Sequence, residues 1–374
     1  MADDSEGMLS WDESVFRNEH VFEVDYLPET FHHRESQLES LKYALRPAVR
    51  GSRPLNTMIR GPPGTGKTTA VQKLFGELSG KSDIEVVRVN CQVDSTRYAV
   101  FSRLFEGVFE YEPPASGISF KKLFGQLTDR LVEEETVLVV ALDDINYLFY
   151  ETEAGDTLYS LLRAHEVYSG AKIGVIVVSS DLSLDVIDDL DGRVQSVFRP
   201  EEIYFPRYST DEIASILRER VKRGFHEGVL GSPELDTITE YTADSGDLRV
   251  GIDLLRRAGL HAEMRASRTV TEEDINAAYE KSKHVHLSRC LEGLSDSERA
   301  LIEVLIHYDR KQAGEVYEAF SEETGLGYTR YSELVNKLDQ LGLITATYAD
   351  VDGRGRSREL TLDYETDAIA DRLE

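Results

Sequence analysis

TMIRGPPGTGKT, residues 57–68, carries a glycine-rich loop between a short apolar strand and a helix that starts at Lys67. The loop matches the pattern G-x-x-x-x-G-K-T, whose glycines let successive backbone N–H groups point at phosphate oxygens. In such a loop the lysine meets the β- and γ-phosphates and the threonine reaches Mg²⁺. The sequence therefore predicts a site for ATP or ADP with Mg²⁺ at Lys67 and Thr68. A purely structural glycine turn is the alternative.

A second motif supplies the metal side of this site. The apolar run VLVVAL, residues 137–142, ends in Asp143 and Asp144. In the predicted site Asp143 organises Mg²⁺ through water, and the next residue activates the attacking water. That next position usually holds Glu, and Asp144 is one methylene shorter, so we expect weak ATPase activity. Two acids that only cap the following helix are the alternative.

The order of the predicted elements indicates three domains. From Leu55 to Phe205 the runs TMIR, EVVRV, VLVVAL and KIGVIVV alternate with helical segments, which predicts an α/β domain with a parallel sheet covered on both faces. From Thr210 the pattern predicts amphipathic helices, and after about Val285 three helices and a β-hairpin predict a winged helix-turn-helix. The expected domains are an N-terminal arm with a P-loop ATPase core (1–206), a small helical lid (207–285) and a winged-helix DNA-binding domain (286–374).

Composition argues against several classes of protein. The chain has 374 residues, 41% of them apolar and 30% charged, and lacks the run of about 18 apolar residues that spans a membrane. Its first residues, MADDSEGMLSWDE, are acidic where a secretory signal has a basic start and an apolar middle. Cys91 and Cys290 stand far apart, without metal-ligand spacing. We therefore expect a cytoplasmic protein with no membrane partner, disulfide framework or zinc site.

The charge balance is unusual for a protein that binds DNA. Lys and Arg number 42 against 69 Asp and Glu, which gives a formal net charge of −27, and the pI is near 4.8. The acids are spread along the whole chain, as is typical of a protein that stays hydrated in concentrated salt. We therefore expect a halophilic host, and DNA contact has to come from locally placed cations.

Three further residues are candidates for sensing the nucleotide. Ser179 and Ser180 follow the apolar strand KIGVIVV, and either hydroxyl could position water near the γ-phosphate. Arg249 starts a helix of the small domain, an arrangement that can swing a guanidinium back onto the nucleotide. Turn chemistry at the serines and a solvated charge at Arg249 are the alternatives.

With these motifs in order, the chain resembles archaeal replication initiators of the origin-recognition and cell-division-cycle type, from about Phe16 to about Tyr364. The blocks that carry the resemblance are DYLPETFHHRESQLESL, LDDINYL, TLYSLLRAHE, SSDLSL, DGRVQS, EIYFPRYSTDEI, GDLRVGIDLLRRAG, VTEEDINAAYEK and GEVYEAF. The resemblance implies an AAA+ fold with a helical lid and a winged helix. It also implies a nucleoid-associated protein that uses ATP, binds double-stranded origin DNA, self-associates there and helps recruit the replicative minichromosome maintenance helicase.

The same resemblance assigns roles around the nucleotide. The phosphates would be wrapped by Gly64, Thr65, Gly66, Lys67, Thr68 and Thr69. Tyr208 in FPRY and Arg220 in LRER would contact the nucleotide, with an aromatic side chain packed on its own core as the alternative for Tyr208. Arg193 in DGRV would act in trans as an arginine finger when protomers assemble.

Two regions are candidates for DNA contact. In the helical insertion TRYAVFSRLFEGVFEYEPP, phosphates could meet Arg97, Tyr98 and Arg103, but an aromatic-rich helix at this spacing is more typical of a core, so no residue is assigned there. The winged helix offers two groups, Thr329, Arg330 and Ser332 at the start of the recognition helix and Arg354, Arg356 and Arg358 at the hairpin tip. Such a helix start reads base edges in the major groove, and such a wing contacts phosphates or the minor groove. A solvated hairpin is the alternative.

Three features depart from the pattern of the family: Asp144 in place of Glu, Ser180 where Asn is common, and a recognition helix with few cations. The first two affect hydrolysis and leave binding intact, so the chain fits a divergent paralogue that uses ATP as a slow switch. Two other functions stay open. One is a nucleotide-gated winged-helix regulator of transcription or of a mobile element, and the other is a DNA-binding protein that holds ATP or ADP without turnover.

Overall fold

The structure is a computed structural model that describes residues 14–23, 25–81, 83–114, 118–182, 184–292, 294–308, 311–350 and 356–373. Within these ranges the side chains of 282–286, 288–290, 292, 311, 340, 348–350, 356–357 and 371 are not described. The chain divides into two compact units. The P-loop unit comprises Val24–Ile216 and Gly246–Arg249, and the lid and wing unit comprises Met1–Glu23, Leu217–Ser245 and Val250–Glu374.

A five-stranded sheet forms the centre of the P-loop unit. Its strands are β1 (Thr57–Arg60), β2 (Ile84–Asn90), β3 (Val137–Asp143), β4 (Lys172–Ser179) and β5 (Glu201–Tyr204), in the order β2-β3-β4-β1-β5. All neighbouring strands are parallel, and every residue of β3 is buried, which is why its sequence is an uninterrupted apolar run. The predicted parallel sheet is confirmed. Strand β5 was not predicted, because only Ile203 of its four residues is buried and the run lies at the sheet edge.

Helices cover both faces of this sheet, as the sequence predicted. They are α1 (Glu35–Leu45), α2 (Lys67–Leu78), α3 (Arg97–Phe109), α4 (Phe120–Glu133), α5 (Asn146–Tyr150), α6 (Ala154–Leu162), α7 (Ala164–Val167), α8 (Gly192–Gln195) and the start of α9 (Thr210–Gly224). One core joins the sheet to α3, α4 and α6, and a second joins it to α1 and α2. Phe101 and Leu104 of α3 are fully buried, so the aromatic spacing of the insertion reflects a core helix.

The lid and wing unit is helical with one small antiparallel sheet. It contains the end of α9, α10 (Ser232–Ser245), α11 (Leu248–Met264), α12 (Glu272–Glu292), α13 (Asp296–His307), β6 (Lys311–Gln312), α14 (Ala313–Thr324), α15 (Tyr328–Gln340), β7 (Ile344–Asp350), β8 (Arg356–Leu362) and α16 (Thr366–Leu373). The sheet order is β6-β8-β7, and with α13, α14 and α15 it makes the winged-helix fold. Helix α12 continues through residue 285, so the predicted boundary there falls inside an unbroken helix.

The N-terminal arm packs within the lid and wing unit. Phe16 stacks on Phe225, the residue that follows α9, and Phe22 packs against the same ring at a tilt, with ring centroids 5.1 and 4.8 Å away. Arg256 of α11 forms ion pairs with Glu19 and Glu23, each at 2.9 Å. Across the described ranges, no helix is long and apolar enough to cross a membrane.

Candidate nucleotide-binding site and DNA interface

The phosphate loop joins β1 to α2 in a backbone shape that two glycines make possible. Gly64 and Gly66 have φ values of 69° and 89°, in the left-handed region that other residues rarely adopt. A Cβ atom at Gly64 would clash with the Asp247 carboxylate, and one at Gly66 would lie 2.8 Å from Cζ of Phe31. A larger residue at either position would collide with these neighbouring side chains. The two glycines therefore allow a loop shape in which backbone N–H groups can face an anion at the start of α2.

Lys67 lies inside this loop. Its side chain is largely buried, and Nζ donates hydrogen bonds of 2.7 Å to the carbonyl oxygens of Gly61 and Pro62. Burial lowers the pKa of Lys67 to about 8, against the opposing charge of Asp144, while the charge of Arg249 lowers it further. When a nucleotide binds, phosphate oxygens would replace these carbonyl oxygens and would form stronger hydrogen bonds with the ammonium group, because they are charged.

Asp143 ends strand β3 beside the loop and is buried. Its Oδ1 accepts a 3.3 Å hydrogen bond from Thr68 Oγ1, and its Oδ2 accepts a 2.9 Å hydrogen bond from Arg88 Nη1. A threonine hydroxyl next to a carboxylate is the oxygen donor set that Mg²⁺ prefers, so these residues fit the predicted metal. Sequence reasoning missed Arg88, since an arginine within a strand gives no signal of its partner on the next strand.

Asp144 has φ of 55°, in the left-handed region, which Asp tolerates better than most residues. Its Oδ1 accepts a 3.2 Å hydrogen bond from Ser180 Oγ. Burial raises the pKa of Asp144, the charge of Asp143 raises it further, and the hydrogen bond from Ser180 opposes the shift. Ser179 is fully buried and donates to the Asp181 carbonyl, so of the two serines Ser180 is the one that touches the acid.

Arg249, at the start of α11, belongs to the P-loop unit. Its guanidinium binds both oxygens of Asp247, the side chain that adjoins Gly64, and this hydrogen bonding raises the pKa of Arg249. The charge of Arg249 acts on both Lys67 and Asp144, so it lies in the same electrostatic site. The structure therefore brings together the two acids, the lysine and this arginine from distant parts of the chain.

Arg34 is a buried residue of this region that sequence reasoning did not single out. Its guanidinium donates to the carbonyl oxygens of Thr65 at 3.1 Å and Pro206 at 2.6 Å, and it lies 3.7 Å from the centroid of the Tyr208 ring. Burial raises the pKa of Tyr208 to about 12, and its hydroxyl lies close to Gly66. Tyr208 thus borders the loop, held there by Arg34. Only the His-Arg-Glu run before α1 marks this arginine in the sequence.

The remaining nucleotide candidates have other neighbours. Thr65 is buried with Oγ1 donating to the Pro62 carbonyl, and Thr69 is half-buried in α2. Arg193 is 61% exposed and forms ion pairs with Asp191 at 2.8 Å and Asp156 at 3.5 Å. Arg220 belongs to the lid and wing unit, where Nη1 donates to the Val21 carbonyl at 2.6 Å. The proposed nucleotide contact of Arg220 stays a prediction.

The arginines of α3 are engaged within their own unit. The Arg97 guanidinium lies 3.7 Å from the centroid of the Phe120 ring and donates to Ser160. Arg103 forms ion pairs with Asp94 and Glu106. These contacts favour the packing interpretation of the insertion over phosphate contact.

The recognition helix α15 presents its first residues to solvent. Thr329 and Arg330 are exposed and Ser332 is half-buried, while Tyr331 is buried and donates to the Ala313 carbonyl at 2.8 Å. That buried tyrosine fixes the start of the helix on the core. Arg330 forms a 3.0 Å ion pair with Glu333 one turn later.

The wing joins the recognition helix through one of its three arginines. Arg358 Nη1 donates to Asn336 Oδ1 at 2.6 Å. The backbone of Arg356 pairs with Asp350 across the hairpin, but its side chain lies outside the described part, as does the whole of Arg354. Of the three wing arginines, the structure thus places the side chain of Arg358, beside Asn336 of α15.

Comparisons with known proteins cover the whole chain. Residues 30–178 match the family described as AAA ATPase domain, and residues 214–280 match the Cdc6 AAA+ ATPase-type lid domain. The chain is 71% identical to ORC1-type DNA replication protein 3 of Haloarcula marismortui over 375 residues, which is 100% of each chain. It is 67% identical to ORC1-type DNA replication protein 6 of Halobacterium salinarum over 371 residues, 99% of each. Among solved structures, the Aeropyrum pernix ORC1 protein in complex with DNA is similar over 97% of each chain, with a TM-score of 0.72 and 26% identity.

Proposed function

The chain belongs to the family of ORC1-type DNA replication proteins, and from this premise we propose that it is an ATP-controlled replication initiator that binds double-stranded origin DNA. The resemblance identified from the sequence is thereby confirmed at the level of the family. The observation that carries the proposal is the phosphate loop that encloses the Lys67 ammonium next to the hydrogen-bonded pair Thr68 and Asp143, in a chain that also has a winged helix.

The nucleotide proposal follows from what each side chain can contact. Backbone N–H groups of the loop and the Lys67 ammonium would bind the phosphates, and Arg249 would reach the γ-phosphate end by exchanging its contact with Asp247. Tyr208 would line the adenine side, and Arg220 would contact the nucleotide. Thr68 and Asp143 would hold Mg²⁺, which neutralises charge on the β- and γ-phosphates when bound.

Hydrolysis is proposed to be slow. Asp144 would orient the attacking water and accept its proton, while Ser180 fixes the carboxylate by its 3.2 Å hydrogen bond. The aspartate side chain is one methylene shorter than the usual glutamate, and proton transfer is sensitive to reach. ATP would then act as a long-lived signal that the protein is ready to bind DNA.

The short, hydrogen-bonded Asp144 also supports a second candidate function, in which the nucleotide is a structural cofactor without turnover. This alternative predicts ADP that co-purifies with the protein and phosphate release no faster than in Lys67→Ala. Turnover by the wild type above that control would exclude it.

For DNA, we propose that the start of α15 enters the major groove and that the arginine wing contacts phosphates or the minor groove. Thr329, Arg330 and Ser332 would face base edges. Because the chain is so acidic, these few cations have to supply most of the attraction to phosphate, and each phosphate contact adds to the salt dependence of binding.

Footprinting on origin and control DNA in concentrated KCl tests this proposal. The variants are Arg354/Arg356/Arg358→Ala, Lys67→Ala and, as a matched control, Arg46/Arg103/Arg130→Ala, which removes three arginines from the P-loop unit. We expect an origin-specific footprint that the wing variant loses and the control keeps. No preference for origin DNA in any nucleotide state would contradict the proposal, and occupancy at promoters would favour a transcriptional regulator.

The partners are proposed on the same premise. The protein would act on the chromosome in the cytoplasm, recruit the replicative minichromosome maintenance helicase and self-associate on DNA. Arg193 is exposed enough to reach the nucleotide of a neighbouring protomer, but it would first have to leave Asp191 and Asp156. Arg193→Ala should therefore reduce turnover only where protomers assemble on DNA.

A further inference from the structure

We propose that Arg88 is the resident counter-ion of Asp143, so that it helps the site hold a nucleotide without metal and weakens the hold on Mg²⁺. The inference rests on the proposed nucleotide site. Arg88 Nη1 lies 2.9 Å from Asp143 Oδ2, and the two side chains are 35% and 6% exposed. The pair is therefore partly shielded from water, where charges interact more strongly than at an open surface.

The sheet brings the two residues together. Strand β2 is at the edge of the sheet beside β3, and Asn90 of β2 is in register with Asp143. Arg88 precedes Asn90 by two residues on the same face of the strand, between the buried Val87 and Val89. An arginine at this point of an apolar strand can reach the end of β3, which is the metal side of the site.

Both oxygens of Asp143 are engaged. Oδ1 accepts from Thr68, the predicted metal-side hydroxyl, and Oδ2 accepts from Arg88. A guanidinium at that carboxylate repels a divalent cation bound through it and attracts the phosphate anion next to it. The same charge thus has opposite effects on the two ligands.

Arg88 is the positive charge that pairs directly with Asp143, whereas Arg249 pairs with Asp247 and Lys67 lies on loop carbonyls. Replacing Arg88 with a neutral residue removes one positive charge next to Asp143. The nucleotide should then bind less tightly in the absence of metal, and Mg²⁺ should bind more tightly in its presence.

Binding of a fluorescent ADP to the full-length chain measures both effects, once in EDTA and once in a Mg²⁺ titration, in molar KCl. Mn²⁺ titrated against the ADP complex by electron paramagnetic resonance reports the metal directly. The variants are Arg88→Met, Arg88→Gln, which keeps a donor for Asp143 without the charge, and Arg88→Lys, which keeps the charge. Arg103→Met is the matched control, because it removes a partly exposed arginine that also pairs with carboxylates.

For Arg88→Met and Arg88→Gln we expect metal-free ADP affinity to fall about five- to tenfold and the half-saturating concentration of metal to fall by a similar factor. Arg88→Lys and Arg103→Met should resemble wild type. Unchanged metal requirement in both neutral variants, or wild-type behaviour of Arg88→Gln alone, would overturn the role of the Arg88 charge. If the wild type itself binds no nucleotide with Mg²⁺, the proposed function fails instead, so the two failures are distinguishable.

Discussion

The single residue Lys67 combines burial, two hydrogen bonds to loop carbonyls and a lowered pKa. With the side chain buried on two carbonyl oxygens and the pKa lowered to about 8, the folded, nucleotide-free chain releases a proton that the unfolded chain keeps until its ordinary lysine pKa near 10.5. The free energy of unfolding therefore rises with pH between about 8 and 10.5. Burial thus weakens the binding of this proton in the nucleotide-free protein, and a bound anion would strengthen it again.

The first prediction concerns proton uptake at this lysine. Phosphate favours the charged ammonium, so nucleotide binding above about pH 8 should take up a proton, and ADP affinity should fall by up to about tenfold per pH unit as the pH rises further. Calorimetric titration in two buffers with different ionisation enthalpies counts the protons. Lys67→Arg, charged throughout this range, should show no uptake; a flat affinity profile in the wild type would contradict the prediction.

The second prediction concerns Asp144, whose pKa is raised chiefly by burial. Because the pKa of this carboxyl group is higher in the folded chain than in the unfolded chain, its ionisation lowers the free energy of unfolding. The loss is complete above the pKa of the folded state and is absent below the pKa of the unfolded state, about 3.9. Asp144→Asn should therefore abolish turnover, leave ADP binding intact and increase the free energy of unfolding at neutral pH by about 1 kcal/mol.

Thermal unfolding at several pH values checks whether Asp144→Asn is stabilising and at which pH. The gain from Asp144→Asn should be present at pH 7 and disappear at acidic pH, whereas Asp236→Asn, at an exposed position, should change stability little at either pH. Equal stability of Asp144→Asn and wild type at neutral pH would show that the ionised carboxylate costs nothing there.

At the scale of elements, Arg34 ties the start of α1 to the phosphate loop and to the segment after β5. Arg34→Met would leave the buried carbonyl of Thr65 without this donor and remove the part-buried hydrogen bond to Pro206, at a cost of about 1–3 kcal/mol in unfolding free energy. Arg34→Lys should recover only part of it, because an ammonium cannot match the planar fork of donors or its stacking on Tyr208. Denaturant unfolding measures both variants, with Arg46→Met as an exposed control on the same segment. Losses equal to that control would refute the prediction.

The elements themselves were largely predictable, and the contacts between them were not. The buried run of β3, the loop before α2 and the helices of the winged helix follow local periodicity, so the sequence indicates them. Arg88 carries no local signal and Arg34 is marked only by the His-Arg-Glu run, because their partners lie on other segments that only the fold brings together. Strand β5 was missed for a related reason, since its edge position leaves most of its side chains exposed.

For the recognition helix we predict a substitution that strengthens DNA binding. Arg330 at the start of α15 is paired with Glu333 at 3.0 Å, and both side chains are more than half exposed. Glu333→Gln should free the guanidinium and remove a charge that repels phosphate, so DNA affinity should rise a few-fold and its salt dependence should steepen. Anisotropy titrations of labelled DNA at several salt concentrations measure this. The double variant Arg330→Ala/Glu333→Gln should gain less; an equal gain would mean that Arg330 makes no contact with DNA.

For the whole molecule, net charge sets stability and DNA affinity against each other. The formal charge of −27 is spread along the chain, so carboxylate repulsion opposes the compact state wherever salt is low. Salt shortens the range of that repulsion from about 10 Å at 0.1 M to about 3 Å at 1 M. The same screening weakens contacts between the arginine wing and DNA. The relatives at 71% and 67% identity come from Haloarcula and Halobacterium, in accord with the expectation of a halophilic host.

The last prediction is that the melting temperature rises steeply with KCl up to molar concentration, while sucrose at matched water activity gives a smaller rise because it does not screen charge. A variant with Glu77, Asp129, Asp236, Glu240 and Glu272 changed to their amides, all at exposed positions, should need less KCl to reach the same melting temperature. Its melting temperature in saturating KCl should equal that of the wild type, since screening already removes the repulsion there. A parallel shift at every salt concentration would instead place the effect in local contacts of the five side chains, and repulsion across the molecule would not be the cause.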